Sequence, residues 1–264
     1  MTDLDAQAAA LDAADPLAPA RDLFHVPGGA IYLDGNSLGL LPRSVPARLA
    51  AVTQDEWGDT LIASWTQSGW YDLPLAVGNR IAPLIGAGTG EVAVGDSTSV
   101  NLFKGLAAAL SLRPGRRAIL AEAGNFPTDA YMAQGLAHLV PGVELRYFGP
   151  EDSLHSMLDE TVAVVLMSHV DYRSAKMRDM AADTTAIHAA GALVLWDLSH
   201  STGAVAVDLM AANADIAAGC TYKYLNGGPG APAFLWVHPR HAGTVRQPLS
   251  GWMGHAQPFA FTRD

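Results

Sequence analysis

Two residues of this chain have the types and the setting for covalent chemistry. Lys223 sits between two tyrosines in the stretch Cys220-Thr-Tyr-Lys-Tyr-Leu-Asn-Gly-Gly-Pro-Gly230, behind the small-residue run Ala217-Ala-Gly219. Asp197 ends the apolar run Ala192-Leu-Val-Leu-Trp-Asp197, and it precedes Lys223 by 26 residues (223 − 197). A lysine that forms a Schiff base works best in a tight, water-poor setting that eases loss of its proton. A pyridoxal phosphate ring needs a carboxylate against its ring nitrogen to act as an electron sink. A strand-end aspartate followed by a loop lysine supplies both. Taken singly, each also fits an ordinary strand end and a surface lysine; the pair in this context favours the chemistry.

The flanking sequence predicts what must position them. Short apolar runs read as strands at Glu91–Gly95, Arg117–Ala121, Val143–Phe148, Thr161–Met167 and from Ala192, and helical patterns cover 75–85, 100–110, 130–139 and 180–190. This alternation predicts an α/β fold, a mostly parallel sheet with helices on both faces. Ligands of such sheets lie beyond the carboxyl ends of the strands. Ser97–Ser99, Phe126–Asp129, Ser168, Asp197 and Lys223 all follow strand candidates. Hydroxyl residues at the start of the 100–110 helix leave backbone N–H groups for an anion, although a plain helix cap uses the same residues. Earlier in the chain, residues 1–20 read as a helical arm, Ala30–Asp34 as a short strand, Asp34–Gly39 as a glycine turn and Pro42–Trp57 as a helix. The aromatic stretch Ser64–Pro74, with Trp65, Trp70 and Tyr71, fits either packing between elements or a wall for an aromatic substrate. Gly86-Ala-Gly-Thr-Gly90 precedes a strand instead of following one, which excludes a dinucleotide fingerprint.

Composition narrows the class. Of 264 residues, 50% are hydrophobic and 16% charged, enough for a substantial core and too few charges for a disordered chain. A net charge of −10 argues against a nucleic-acid or anionic-membrane surface. Cys220 is the single cysteine, so no intrachain disulfide forms; a reducing cytoplasm is expected. No signal peptide or membrane-length apolar run is visible in the sequence, and no metal-ligand spacing stands out.

The chain resembles kynureninase, a pyridoxal phosphate enzyme of the aspartate aminotransferase fold (fold type I). The matching stretches are Tyr32–Gly39, Trp65–Pro74, Asp96–Leu102, Asn125–Asp129, Trp196–Ala204, Cys220–Gly230 and Gly251–His255. The resemblance implies that Lys223 carries the cofactor, that Asp197 faces its ring nitrogen with His200 nearby, and that Thr98, Ser99 and Tyr222 contact its phosphate. It further implies that Phe126 stacks on the ring with Asp129 beside it, that Ser168 lies close, and that Trp252 reaches a phosphate of the partner subunit in a homodimer with shared sites. The implied reaction is hydrolysis of L-kynurenine, or of 3-hydroxykynurenine, to anthranilate or its hydroxy analogue and L-alanine, in tryptophan catabolism and pyridine nucleotide biosynthesis. Lys223 would remove the α-proton and Tyr222 would return a proton.

Residues 1–55 are expected to form an arm and helices that are part of a small domain, and residues 56–264 the pyridoxal phosphate-binding large domain. Two positions depart from the family pattern, Asp171 and Ala175, where Asn and Gly are expected. Family chains run beyond the position of Asp264, where they carry a small C-terminal domain and a carboxylate-binding arginine. The expectation is therefore cofactor binding with weak or absent hydrolysis. Competing readings are another fold type I enzyme such as a cysteine desulfurase or class V aminotransferase, whose lysine tends to follow a histidine instead of Tyr222; an inactive cofactor-binding fragment; and an α/β binding protein without pyridoxal phosphate.

Overall fold

The computed structural model describes residues 3–149 and 151–263. Its centre is a seven-stranded sheet. In chain order the strands are β1 (Val92–Val94), β2 (Ala118–Glu122), β3 (Glu144–Phe148), β4 (Val162–Ser168), β5 (Leu193–Asp197), β6 (Ile216–Gly219) and β7 (Phe234–Val237). Their order across the sheet is β1-β7-β6-β5-β4-β2-β3. The pairs from β3 to β6 are parallel, and β7 runs antiparallel to both its neighbours.

The composition of the strands explains their placement. Every residue of β4 and β5 is buried, as expected of strands covered on both faces. Along β4 the side chains alternate between two cores. Val165 and Met167 join Ile85, Trp196 and Trp236 on one side, while Val164 and Leu166 join Leu102, Leu106 and Ile216 on the other. The edge strand β3 is more polar, and its Arg146 holds Glu144 and Asp159 at 2.8 and 2.9 Å.

Four helices flank the sheet: α1 (Leu73–Ile81), α2 (Thr98–Leu112), α3 (Pro127–Leu139) and α4 (Met180–Ala189). Ser97 caps α2 by accepting from the Val100 N–H at 3.3 Å, and Asp179 caps α4 by accepting from Ala182 at 3.0 Å. Glycine permits the closest helix contact: a Cβ on Gly78 of α1 would stand 1.9 Å from the Val92 carbonyl of β1. Among the described residues no helix is long and apolar enough to cross a membrane.

The α/β class and the mostly parallel sheet agree with the sequence reading, and the differences are local. Ala30–Asp34 forms no strand; Ile31 and Leu33 are exposed and pair with nothing extended, while the short pairing here joins Phe24–His25 to Leu41–Pro42. The helix expected over Pro42–Trp57 begins only at Val45 because Pro42 belongs to that pairing, and from Val52 to Gly58 it widens to π turns. No helix separates β5 from β6 or β6 from β7. After the second gap β7 enters the sheet reversed, antiparallel to both β6 and β1.

Candidate active site

The carboxyl ends of β2, β4, β5 and β6 converge on one buried polar cluster. Ser168 and Asp197 end β4 and β5 and stand side by side in the register. Asp197 is 4% exposed; its Oδ1 accepts from the Ser199 amide at 2.9 Å and the Ser199 hydroxyl at 2.6 Å. Its Oδ2 receives a longer contact, 3.4 Å, from the Ser168 hydroxyl. That hydroxyl lies 2.5 Å from Asn125 Oδ1, and the Asn125 amide donates to Asp129 Oδ2 at 2.9 Å.

Asp129 is 3% exposed and lies against Asp197. Burial first, and the Asp197 charge second, push its pKa well above the usual carboxylate range; Asn125 and Lys223 oppose this. Asp129 thus favours the neutral acid.

Lys223 follows β6 in a loop fixed by its own backbone. The Gly227 amide donates to the Thr221 carbonyl at 2.8 Å, the Asn226 amide to the Lys223 carbonyl at 3.0 Å, and the Thr221 hydroxyl to the Pro232 carbonyl at 2.6 Å. The N-terminal turn braces this loop from outside. The Gly39 amide donates to the Tyr222 carbonyl at 2.8 Å, and a Cβ on Gly39 would stand 2.2 Å from the Lys223 carbonyl oxygen. Glycine is required there because the opposing atoms are backbone.

The Lys223 amine is 2.7 Å from His200 Nε2. Burial, then the Lys223 charge, lower the His200 pKa, which favours a neutral ring beside the amine. The same Nζ lies 5.7 Å from the Phe126 ring centre and 5.9 Å from that of Tyr222. Tyr172 meets Phe126 edge-on at 5.2 Å and His200 at 6.3 Å, so aromatic rings close one side of the amine. Burial raises the Tyr222 pKa, which keeps its phenol protonated.

The structure therefore brings together Phe126, Asp129, Ser168, Asp197, His200, Tyr222 and Lys223. Thr98 and Ser99 lie on the first turn of α2 beyond β1, with Ser97 satisfying the Val100 N–H. Trp252 stands in an aromatic group with Trp65 at 5.6 Å and Phe259 at 5.5 Å, and its indole N–H donates to the Pro258 carbonyl at 2.6 Å. Tyr71 meets Trp252 and Phe259 as well, which is packing between elements. Trp70 donates to Glu56 at 2.7 Å.

Four residues of the cluster escaped assignment from sequence: Asn125, Ser199, Tyr172 and Gly39. Ser199 carried a signal, because a hydroxyl two residues after an aspartate commonly folds back on it. Asp171 turns its Oδ1 into its own loop, accepting from the Ser174 amide and hydroxyl, each at 2.7 Å, and from Arg173 N at 3.1 Å. Burial opposes its charge, but these donors win and lower its pKa. Ala175 ends that turn at φ +56°, the conformation that makes glycine the expected residue.

The chain was compared with known proteins. No protein-family model matches it. It is 58% identical over 263 residues to a kynureninase of Deinococcus radiodurans, covering 98% of this chain and 64% of that protein. It is 55% identical over 259 residues to a kynureninase of Burkholderia pseudomallei, covering 96% and 62% respectively. The chain thus spans somewhat under two thirds of the length of these relatives. Among solved structures it is similar to a C-DES mutant with glycine covalently linked to the PLP cofactor, at TM-score 0.73 and 17% identity over 88% of this chain and 63% of that one. A cysteine desulfurase of Thermococcus onnurineus gives 0.69 and 19%, over 88% and 59%. These likenesses show the fold, and the sequence identity is more specific: over the part of their length that it spans, the chain is similar in sequence to the kynureninases.

Proposed function

We propose that this chain binds pyridoxal phosphate and serves the hydrolysis of L-kynurenine to anthranilate and L-alanine. The observation that carries the reading is the buried set of a lysine amine, a histidine and two carboxyl groups at the strand ends, in a chain more than half identical to kynureninases. The donor set fits the cofactor: an amine for its aldehyde, a buried carboxylate for its ring nitrogen, and an aromatic face. When bound, pyridoxal phosphate supplies an electron sink for the α-carbon of an amino acid.

The residues divide the remaining work. Asp197, fixed in place by the Ser199 amide and hydroxyl, would face the ring nitrogen and hold a proton on it. Lys223 would carry the cofactor and move the α-proton, with neutral His200 placing its Nζ. Phe126 would lie on the ring face, with Asp129 and Ser168 beside it. Thr98 and Ser99, at the start of α2, and Tyr222 would take the phosphate. Tyr222, protonated, would return a proton to the product. Trp252 is 41% exposed and would serve the site of a second subunit, which makes a homodimer part of this reading. A cytoplasmic setting and a place in tryptophan catabolism follow from the same proposal, as does the division into residues 1–55 and a cofactor-binding unit from 56 onward.

The test is product chemistry. With pyridoxal phosphate and L-kynurenine, anthranilate fluorescence should rise above that of the Lys223→Ala chain. Sulfide release from L-cysteine with no anthranilate from L-kynurenine would overturn the reading in favour of a desulfurase.

A further inference from the structure

At the end of the sheet opposite Lys223, a pocket of about 600 Å³ opens between the C-terminal ends of α2 and α3. Its floor is apolar, made by side chains such as Leu136, Val140 and Val143. Four arginines reach it: Arg113, Arg116, Arg117 and Arg246. The chain has 16 lysines and arginines against 26 acidic residues, so four guanidinium groups at one pocket run against its overall charge.

None of the four makes an ion pair with a carboxylate among the described residues. The nearby carboxylates of Glu144 and Asp159 are engaged by Arg146. Arg113 donates to the Gly191 carbonyl at 2.9 Å, and Arg116 to those of Val162 and Ala190, both at 2.9 Å. These two are anchored. Arg117 makes one bond, to the Pro141 carbonyl at 3.2 Å, and Arg246 one, to Val245 at 3.4 Å. Each guanidinium has five N–H donors, so both keep donors for a ligand.

We propose that this pocket binds a small organic anion: an apolar, ring-sized body seated on the floor, with a carboxylate, sulfonate or phosphate held by Arg117 and Arg246. Its volume falls in the range of small-molecule sites, and an apolar lining with few convergent polar groups is their usual make-up. Arginine suits the anion, since its fork matches an oxyanion with two parallel bonds. The site is remote from the Lys223 cluster and independent of the function proposed above.

The test uses two probes of nearly equal shape, anionic 8-anilinonaphthalene-1-sulfonate and its uncharged counterpart N-phenyl-1-naphthylamine, followed by fluorescence. The anionic probe should saturate one site and bind the unmodified chain about tenfold more tightly than the neutral one. An Arg117→Gln/Arg246→Gln chain should lose about that factor for the anionic probe alone, since two partly exposed pairs are each worth a few-fold. Both arginines are exposed, so the double substitution leaves the core intact. Equal binding of the two probes would overturn the proposal, because it reports apolar surface without charge recognition. Unchanged binding of the anionic probe to the double variant would overturn it equally, by placing the probe elsewhere.

Discussion

The Lys223 amine lies 2.7 Å from His200 Nε2, two basic groups at hydrogen-bond distance in a partly buried site. Both cannot be charged there. The lowered His200 pKa favours the neutral ring beside the lysine. His200 is thus a polar support for the amine, and the support is sensitive to acid.

Acid should therefore loosen the fold before the carboxylates titrate. The unfolded histidine takes up a proton near pH 6.5, while the folded ring resists until a lower pH. The unfolded state then binds more protons, so stability falls as pH drops through 6.5 toward the folded value. Denaturant midpoints at pH 7.5 and 5.5 should differ more for the native chain than for His200→Gln. Equal differences would show that His200 carries no part of the pH dependence.

Asp129 predicts a dependence of the opposite sign. Its folded pKa is raised, so its contribution is favourable below the ordinary carboxylate value of 3.8 and is lost as pH rises through the folded value. Asp129→Asn removes a proton-hungry acid from beside Asp197. It should raise the melting temperature of the cofactor-free chain at pH 7 more than at pH 4. A loss of stability at pH 7 would mean that Asp129 is ionised and held by donors instead.

Gly39→Ala tests the brace on the lysine loop. The added Cβ would meet backbone oxygen at 2.2 Å, so the turn must move away from Lys223. The expected cost is about 1–3 kcal/mol in urea unfolding, with weaker binding of pyridoxal phosphate. Full retention of both would show that the turn yields without disturbing the loop.

Ala175→Gly should stabilise the chain. A residue with a Cβ costs about 1–2 kcal/mol in the left-handed region, and glycine returns about 0.5–1 kcal/mol of that through its freer unfolded state. The net gain is about 0.5–1 kcal/mol, read as a rise of roughly 2 °C in Tm. A fall in Tm would indicate that the turn does not hold φ +56° in solution.

The sequence revealed five of the seven sheet strands and the acidic and basic ends of the site because both signals are local. Buried parallel strands are continuous apolar runs, and Val162–Ser168 and Leu193–Asp197 could hardly be anything else. Asp197 was legible because it closes such a run, and Lys223 because it stands between two tyrosines just after a small-residue segment. Other features depend on distant partners. Exposed Ile31 and Leu33 alternate like a strand but have no neighbour to pair with. Gly39 reads as a turn residue, yet its role is set by a backbone oxygen 184 positions onward (223 − 39). The Asp129–Asp197 contact joins the first turn of α3 to the end of β5, and no spacing encodes it.

Covalent trapping tests directly whether Lys223 carries the cofactor. The purified chain is mixed with pyridoxal phosphate, its absorption recorded, and the mixture reduced with borohydride and digested for mass spectrometry. A borohydride-sensitive band and a single phosphopyridoxyl group on the peptide containing Lys223 are expected, with loss of both in Lys223→Ala. Label spread over surface lysines, or a band that survives in Lys223→Ala, would contradict that role of Lys223.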